Sequence, residues 1–81
     1  MRDVGMITPN KSLDCTGLFC PMPIVRTKFE LETMNSGDIL EIVADDPGFL
    51  KDLPVWCQMT GEQLLEIKKE GLILKGYVKK K

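Results

Sequence analysis

An 81-residue chain that is 43% hydrophobic and 28% charged, with a net charge of −1, has the material for one small globular domain with a single modest core, and is too apolar to remain disordered. It holds no apolar run of membrane-spanning length, and positions 1–9 lack the hydrophobic region of a signal peptide, so a cytoplasmic protein without membrane contact is expected. Three cysteines and no histidine speak against a disulfide scaffold, against a structural zinc site, which wants four ligands, and against a hydrolase built on a Cys–His pair.

Positions 1–10 read as an N-terminal extension of flexible character, and 11–81 as a single domain. Positions 11–15 form a short first strand, left through the turn Thr16-Gly17. A first helix is predicted over about 21–34, with Ile24, Thr27, Leu31 and Met34 on one face, and Asn35-Ser36-Gly37 ends it. The nearly continuous apolar run 39–44 reads as a buried central strand, broken by Asp45-Asp46-Pro47-Gly48. Phe49, Leu53, Trp56 and Cys57 then make a helical stripe that contains Pro54, so a first turn, a kink and a shorter helix from near Leu53 to Gly61 are expected. Runs 63–69 and 72–79 flank Glu70-Gly71 and read as a hairpin. The order β-α-β-α-β-β is most simply folded as an α/β two-layer sandwich, a four-stranded mixed sheet with two helices on one face.

Charge is segregated along this order. Positions 1–65 hold five Lys or Arg against ten Asp or Glu, whereas 66–81 hold six Lys against Glu66 and Glu70. The basic end reads as a solvated strand with a frayed tail at Lys79, Lys80 and Lys81. A nucleic-acid domain would carry a basic stripe and a raised isoelectric point, so no direct nucleic-acid contact is expected.

The chemistry concentrates at Cys20, between Gly17 and the pair Pro21 and Pro23, at the predicted start of the first helix. A thiol beside the positive end of a helix dipole is favoured as thiolate, the reactive form. With Cys20 at the N-cap and Pro21 at the first helical position, the Met22 N–H is free to bond the sulfur. Alternatively, Pro23 pushes Met22 into an extended conformation and the helix starts at Pro23. Either geometry leaves Cys20 at the helix start, presented to other proteins; the competing reading is a small buried residue at a helix–strand corner.

Cys15 reads either as a thiol that resolves an oxidised or persulfidated Cys20 or as a strand-end core residue; its separation from Cys20 is not the Cys-x-x-Cys redox spacing. Cys57 fits core packing on its helical stripe. Asp45 and Asp46 suit turn and helix-cap chemistry ahead of the second helix; the competing readings are a bound cation or a partner's basic surface. Met22 is either a partner contact or a filler of the first turn, and Gly17 supplies the turn beneath Cys20.

Leu13-Asp14, Gly17-Leu18, Cys20-Pro21-x-Pro23, Gly37-Asp38, Ala44-Asp45-Asp46-Pro47 and Leu53-Pro54 with Cys57, in that order and spacing, resemble the TusA/SirA-like sulfur carrier family across positions 12–79. The resemblance implies a persulfide carried on Cys20, loaded by a cysteine desulfurase or another sulfur donor and removed by a downstream acceptor protein serving tRNA thiolation, cofactor synthesis or sulfur oxidation. Such a carrier needs no bound cofactor and is a sulfurtransferase-type partner rather than a self-contained enzyme; the cysteine spacing argues against a metal, and an exposed carrier cysteine favours a monomer. Pro21, Met22, Pro23 and Gly17 would support the motif, and Arg26 and Lys28 loosely match basic residues that relatives turn toward the desulfurase. Position 22 is Met, where thiolation members often have Glu. Two rival readings stand beside the carrier: a thiol redox protein or sensor using Cys20 with Cys15, and a regulatory interaction module in which Cys20 is dispensable.

Overall fold

The computed structural model describes residues 8–81, and positions 1–7 of the expected extension lie outside the described residues. Six elements follow the predicted order: β1 (Lys11–Asp14), α1 (Met22–Glu32), β2 (Ile39–Ala44), α2 (Gly48–Thr60), β3 (Gln63–Glu70) and β4 (Ile73–Lys79). The strands form one mixed sheet in the order β1-β2-β4-β3. β1 and β2 are parallel, a pairing that requires a crossover, and α1 supplies it. β4 runs antiparallel to both β2 and β3, so the last strand occupies the middle of the sheet.

Alternation along β2 decides which face is covered. Leu40, Ile42 and Ala44 are fully buried while Ile39, Glu41 and Val43 are half-buried, as expected when successive side chains point to opposite faces. Leu13, Leu74 and Val78 join the buried face from β1 and β4, and Leu31 of α1 with Phe49, Leu53 and Cys57 of α2 pack onto it. Both helices therefore lie on one side, and the fold is the two-layer α/β sandwich. Burial of each large side chain in this layer contributes about 1.5–3 kcal/mol before chain entropy is set against it. Gly76 permits the close approach of α2 to β4: a Cβ there would stand 2.5 Å from Leu53 Cδ2 and 3.2 Å from Phe49 Cζ.

Three local readings are corrected. α2 is one continuous helix across Pro54, not a turn, a kink and a shorter helix. The missing proline N–H is tolerated because Phe49, Leu53 and Cys57, buried on both sides of it, pin both halves to the same core. α1 ends at Glu32, and Met34 follows in a turn with its N–H donating to the Leu31 carbonyl at 3.0 Å. The terminal lysines are not a frayed tail. Lys80 Nζ donates to the Leu31 carbonyl at 2.8 Å, Lys81 Nζ donates to the Thr60 carbonyl, and the Lys80 backbone pairs with Gly37 and Asp38. Each ammonium thus meets a carbonyl in the last turn of a helix, at its negative end, where cations are favoured.

On the open face, Ser12, Glu41 and Tyr77 stand in register across three strands. The Tyr77 hydroxyl donates to Glu41 Oε2 at 2.8 Å and Ser12 Oγ donates to Oε1 at 2.9 Å. These bonds, that of Tyr77 foremost, hold the Glu41 carboxyl below its usual range. A carboxyl with a depressed folded-state pKa stabilises the fold above its unfolded value, near 4.5, and that contribution is lost as pH falls through the folded value. Tyr77→Phe is therefore expected to flatten the loss of stability on acidification below about pH 4.5, measured as urea midpoints across pH; an unchanged slope would count against the linkage.

Candidate functional site

Cys20 lies on the loop from β1 to α1, at the end of the helical layer. The loop leaves the core at Cys15, whose N–H donates to the Val43 carbonyl at 2.6 Å. Asp14 Oδ1 then accepts from the Thr16 N–H at 2.9 Å and from its hydroxyl at 2.7 Å, closing a turn of the kind that aspartate favours. Gly17 follows with φ of +82°, a left-handed conformation open to glycine at little cost. Its N–H donates to the Asp45 carboxylate at 3.1 Å, and the Cys20 N–H donates to Asp46 Oδ2 at 2.7 Å. The other Asp46 oxygen accepts from the Gly48 N–H at 3.3 Å. Asp45 and Asp46 thus fasten a loop that lies more than twenty residues upstream of them while starting α2.

The sulfur of Cys20 faces α2. Its Cβ lies 3.6 Å from the point where a side chain on Gly48 would begin, and Sγ donates to Asp52 Oδ2 at 2.7 Å, Asp52 being one helical turn beyond Gly48. The hydrogen bond to Asp52, with local desolvation and the negative charges of Asp52 and Asp46, pushes the Cys20 thiol up from its ordinary range. Cys20 is exposed. Beside it, Pro21 and Ile24 of the first helical layer and Lys51, Asp52, Val55, Trp56 and Met59 of α2 line an open groove of about 350 Å³. Met59 of this lining is 78% exposed, and Phe19, next to Cys20 in the chain, is 76% exposed. An exposed thiol beside a shallow apolar groove, bonded to one of the residues that line it, is accessible to another protein for exchange of a small group.

A profile of the sulfurtransferase TusA family matches residues 11–80. The chain belongs to this family. The sulfur carrier protein TusA of Allochromatium vinosum is 45% identical over 62 residues, covering 76% of this chain and 82% of that protein. YrkI of Bacillus subtilis is 49% identical over 71 residues, covering 88% and 95%. The crystal structure of a SirA-like protein from Desulfitobacterium hafniense superposes with a TM-score of 0.75 at 21% identity, covering 85% of this chain and 95% of that one, a likeness of fold.

Within this TusA framework the motif residues divide. Gly17, Cys20, Pro21 and Met22 are exposed, whereas Pro23 is buried beneath the start of α1. The expected capping geometry is corrected: Pro21 is the N-cap of α1, with no side-chain cap bond, and the Met22 N–H donates to the Phe19 carbonyl at 2.8 Å. The thiolate expectation is corrected with it, because Asp52 favours the protonated sulfur. Of the two readings of Cys15, its burial matches that of a strand-end core residue: it is fully buried in the core cluster, and burial pushes its thiol up, whereas a resolving thiol must be accessible and ionisable. Cys57 is buried too, its thiol pushed up to about 11.

Arg26 and Lys28 are exposed on α1; Lys28 Nζ stands 5.8 Å over the Phe29 ring and lines a second groove, with Trp56, Thr60 and Lys80, at the other end of the helices. Sequence reasoning missed Asp52. Its only local signal is the four-residue step from Gly48, which puts both on the α2 face toward Cys20. Asp46→Ala is expected to unfasten the loop, speeding hydrogen exchange of the Cys20 amide by about 10-fold, the equivalent of one charge-assisted hydrogen bond; unchanged exchange would mean that Asp46 does not hold the loop.

Proposed function

We propose that the protein is a sulfur carrier in which Cys20 holds a sulfane sulfur as a persulfide, taken from a donor protein such as a cysteine desulfurase and passed to an acceptor protein. The observation that carries this reading is the exposed Cys20 beside an open apolar groove that Pro21 and Asp52 help to line, in a chain of the TusA sulfurtransferase family. In loading, the Cys20 thiol and a donor persulfide exchange partners: a Cys20–sulfur bond forms, the donor's sulfur–sulfur bond breaks, and the donor leaves as a thiol. Unloading is the same exchange with an acceptor thiol. No separate oxidant or reductant is required, and the step proceeds by thiolate attack on sulfur.

A carrier thiol must stay reduced between loads, which suits the cytosol. The reading is of a monomer, since self-association through the groove would cover Cys20. Among the described residues, no helix is long and apolar enough to cross a membrane. The reading based on a Cys15–Cys20 disulfide is disfavoured by the burial of Cys15.

The test is to incubate the wild-type protein with a cysteine desulfurase and cysteine, then map any added sulfur by mass spectrometry of peptides. One sulfur atom on the peptide containing Cys20, removed by a thiol reductant, is the expected result. No added sulfur, or sulfur on the Cys15 or Cys57 positions instead, would overturn the proposal.

A further inference from the structure

Sulfur exchange at a thiol has a proton to move, and one group in the site stands where that proton is. Asp45 and Asp46 bond backbone N–H groups of the loop, which accounts for them structurally. Asp52 differs. Among the described residues its carboxylate bonds no backbone group and no lysine or arginine; its one hydrogen-bond partner is Cys20 Sγ, at 2.7 Å. It projects from α2, an element held to the core by Phe49, Leu53 and Cys57, so its position is set independently of the loop that carries the sulfur. An acid–base group has to lie within about 2.6–3.2 Å of the atom whose proton it handles, and Asp52 meets that requirement.

We propose that Asp52 is the acid–base partner of Cys20, taking the Sγ proton during loading and returning a proton to Sγ during unloading. The inference rests on the carrier reading above. In loading, the thiol proton passes to Asp52 Oδ2 as Sγ attacks the outer sulfur of the donor persulfide. The new sulfur–sulfur bond forms, the old one breaks with its electron pair going to the donor's cysteine sulfur, and that thiolate takes the proton from Asp52. In unloading, the acceptor's thiol proton passes to Asp52 as the acceptor sulfur attacks the outer sulfur on Cys20. Asp52 then protonates Sγ as it departs with the electron pair of the broken bond. Proton and electron pair balance in both directions, and the site returns to a thiol beside a carboxylate.

The charged groups that act on Cys20 come from two elements, Asp52 of α2 and Asp46 of the turn before it, and both are negative. In the free protein they keep the sulfur protonated, so Cys20 is a sluggish nucleophile toward small electrophiles until a donor engages it. This produces opposite signs for two reactions of the same atom. Alkylation needs only thiolate; sulfur exchange also needs the proton delivered to a leaving sulfur.

The experiment compares wild type, Asp52→Asn, Asp52→Glu and Cys20→Ala in two assays, with circular dichroism to confirm the fold. One is the rate of sulfur loading from a persulfidated cysteine desulfurase, and the other is the pH profile of alkylation by iodoacetamide. D52N is expected to load roughly 10- to 100-fold more slowly, at or below the low end of acid–base effects. At neutral pH it is expected to alkylate faster, with its alkylation profile moved to lower pH. D52E should recover part of the loading rate. Loading by D52N at or above the wild-type rate would overturn the proposal, as would equal slowing of both reactions, which marks a displaced loop. If wild type takes up no sulfur, the carrier reading itself fails, whatever D52N does.

Discussion

Gly76→Ala is expected to destabilise the domain by about 1–3 kcal/mol, the usual cost of overpacking a filled core, and Gly76→Val by more. The added Cβ would stand 2.5 Å from Leu53 Cδ2 and 3.2 Å from the Phe49 ring, and neither side chain has room to withdraw, since both are buried against the sheet. Relief would require α2 to lift from β4, breaking the contacts that Phe49, Leu53 and Cys57 make with the core. Against a total stability of about 5–15 kcal/mol for a native domain, a loss of this size is plainly visible as a lower urea midpoint. Leu53→Ala alone should cost about 2–5 kcal/mol through its cavity, yet G76A/L53A should cost less than the sum, because the cavity receives the new methyl group. Strict additivity, or a wild-type midpoint for G76A, would show that α2 does not bear on β4 at this point.

Cys20→Ala is expected to abolish sulfur uptake entirely while leaving stability within about 0.5 kcal/mol of wild type, as for other exposed positions away from packing and caps. Cys20 is exposed and stands outside the core cluster, and its side-chain hydrogen bond to Asp52 lies at the surface. Cys15→Ala should behave in the opposite way. It removes a fully buried sulfur from the core cluster and lowers stability, but leaves the carrier sulfur in place and loading intact. Desulfurase loading and urea unfolding of the two variants separate the roles, and sulfur uptake by C20A would remove Cys20 from the mechanism.

The element order and the two-layer arrangement were legible because each rests on short-range pattern: alternation in β2, a helical stripe in each helix, and turn residues at Gly37, Gly61 and Gly71. Cys20 stood out for a similarly local reason, a thiol between a glycine and two prolines. What escaped depends on residues distant in sequence. The expected kink at Pro54 left out the packing of Phe49 and Cys57 on either side of it. Lys80 and Lys81 looked like a tail because the carbonyls they meet belong to helices ending near positions 32 and 60. The dipole argument assigned Cys20 to the helix that follows it in sequence, whereas the sulfur faces the start of α2. A neighbouring carboxylate reversed the expected direction of its ionisation. No local pattern specifies a contact between positions 20 and 52.

The partners that hold the Cys20 loop lie 26, 28 and 32 positions downstream of the groups they bind. A chain emerging from the ribosome therefore exposes Cys20 as an ordinary thiol until residue 52 has been made and α2 has docked. β1 likewise waits for β2 before it can form its parallel pair, a contact of high sequence separation. The carboxylate environment of the sulfur is in this sense acquired together with the tertiary fold, and a short synthetic peptide spanning the cysteine motif would lack it.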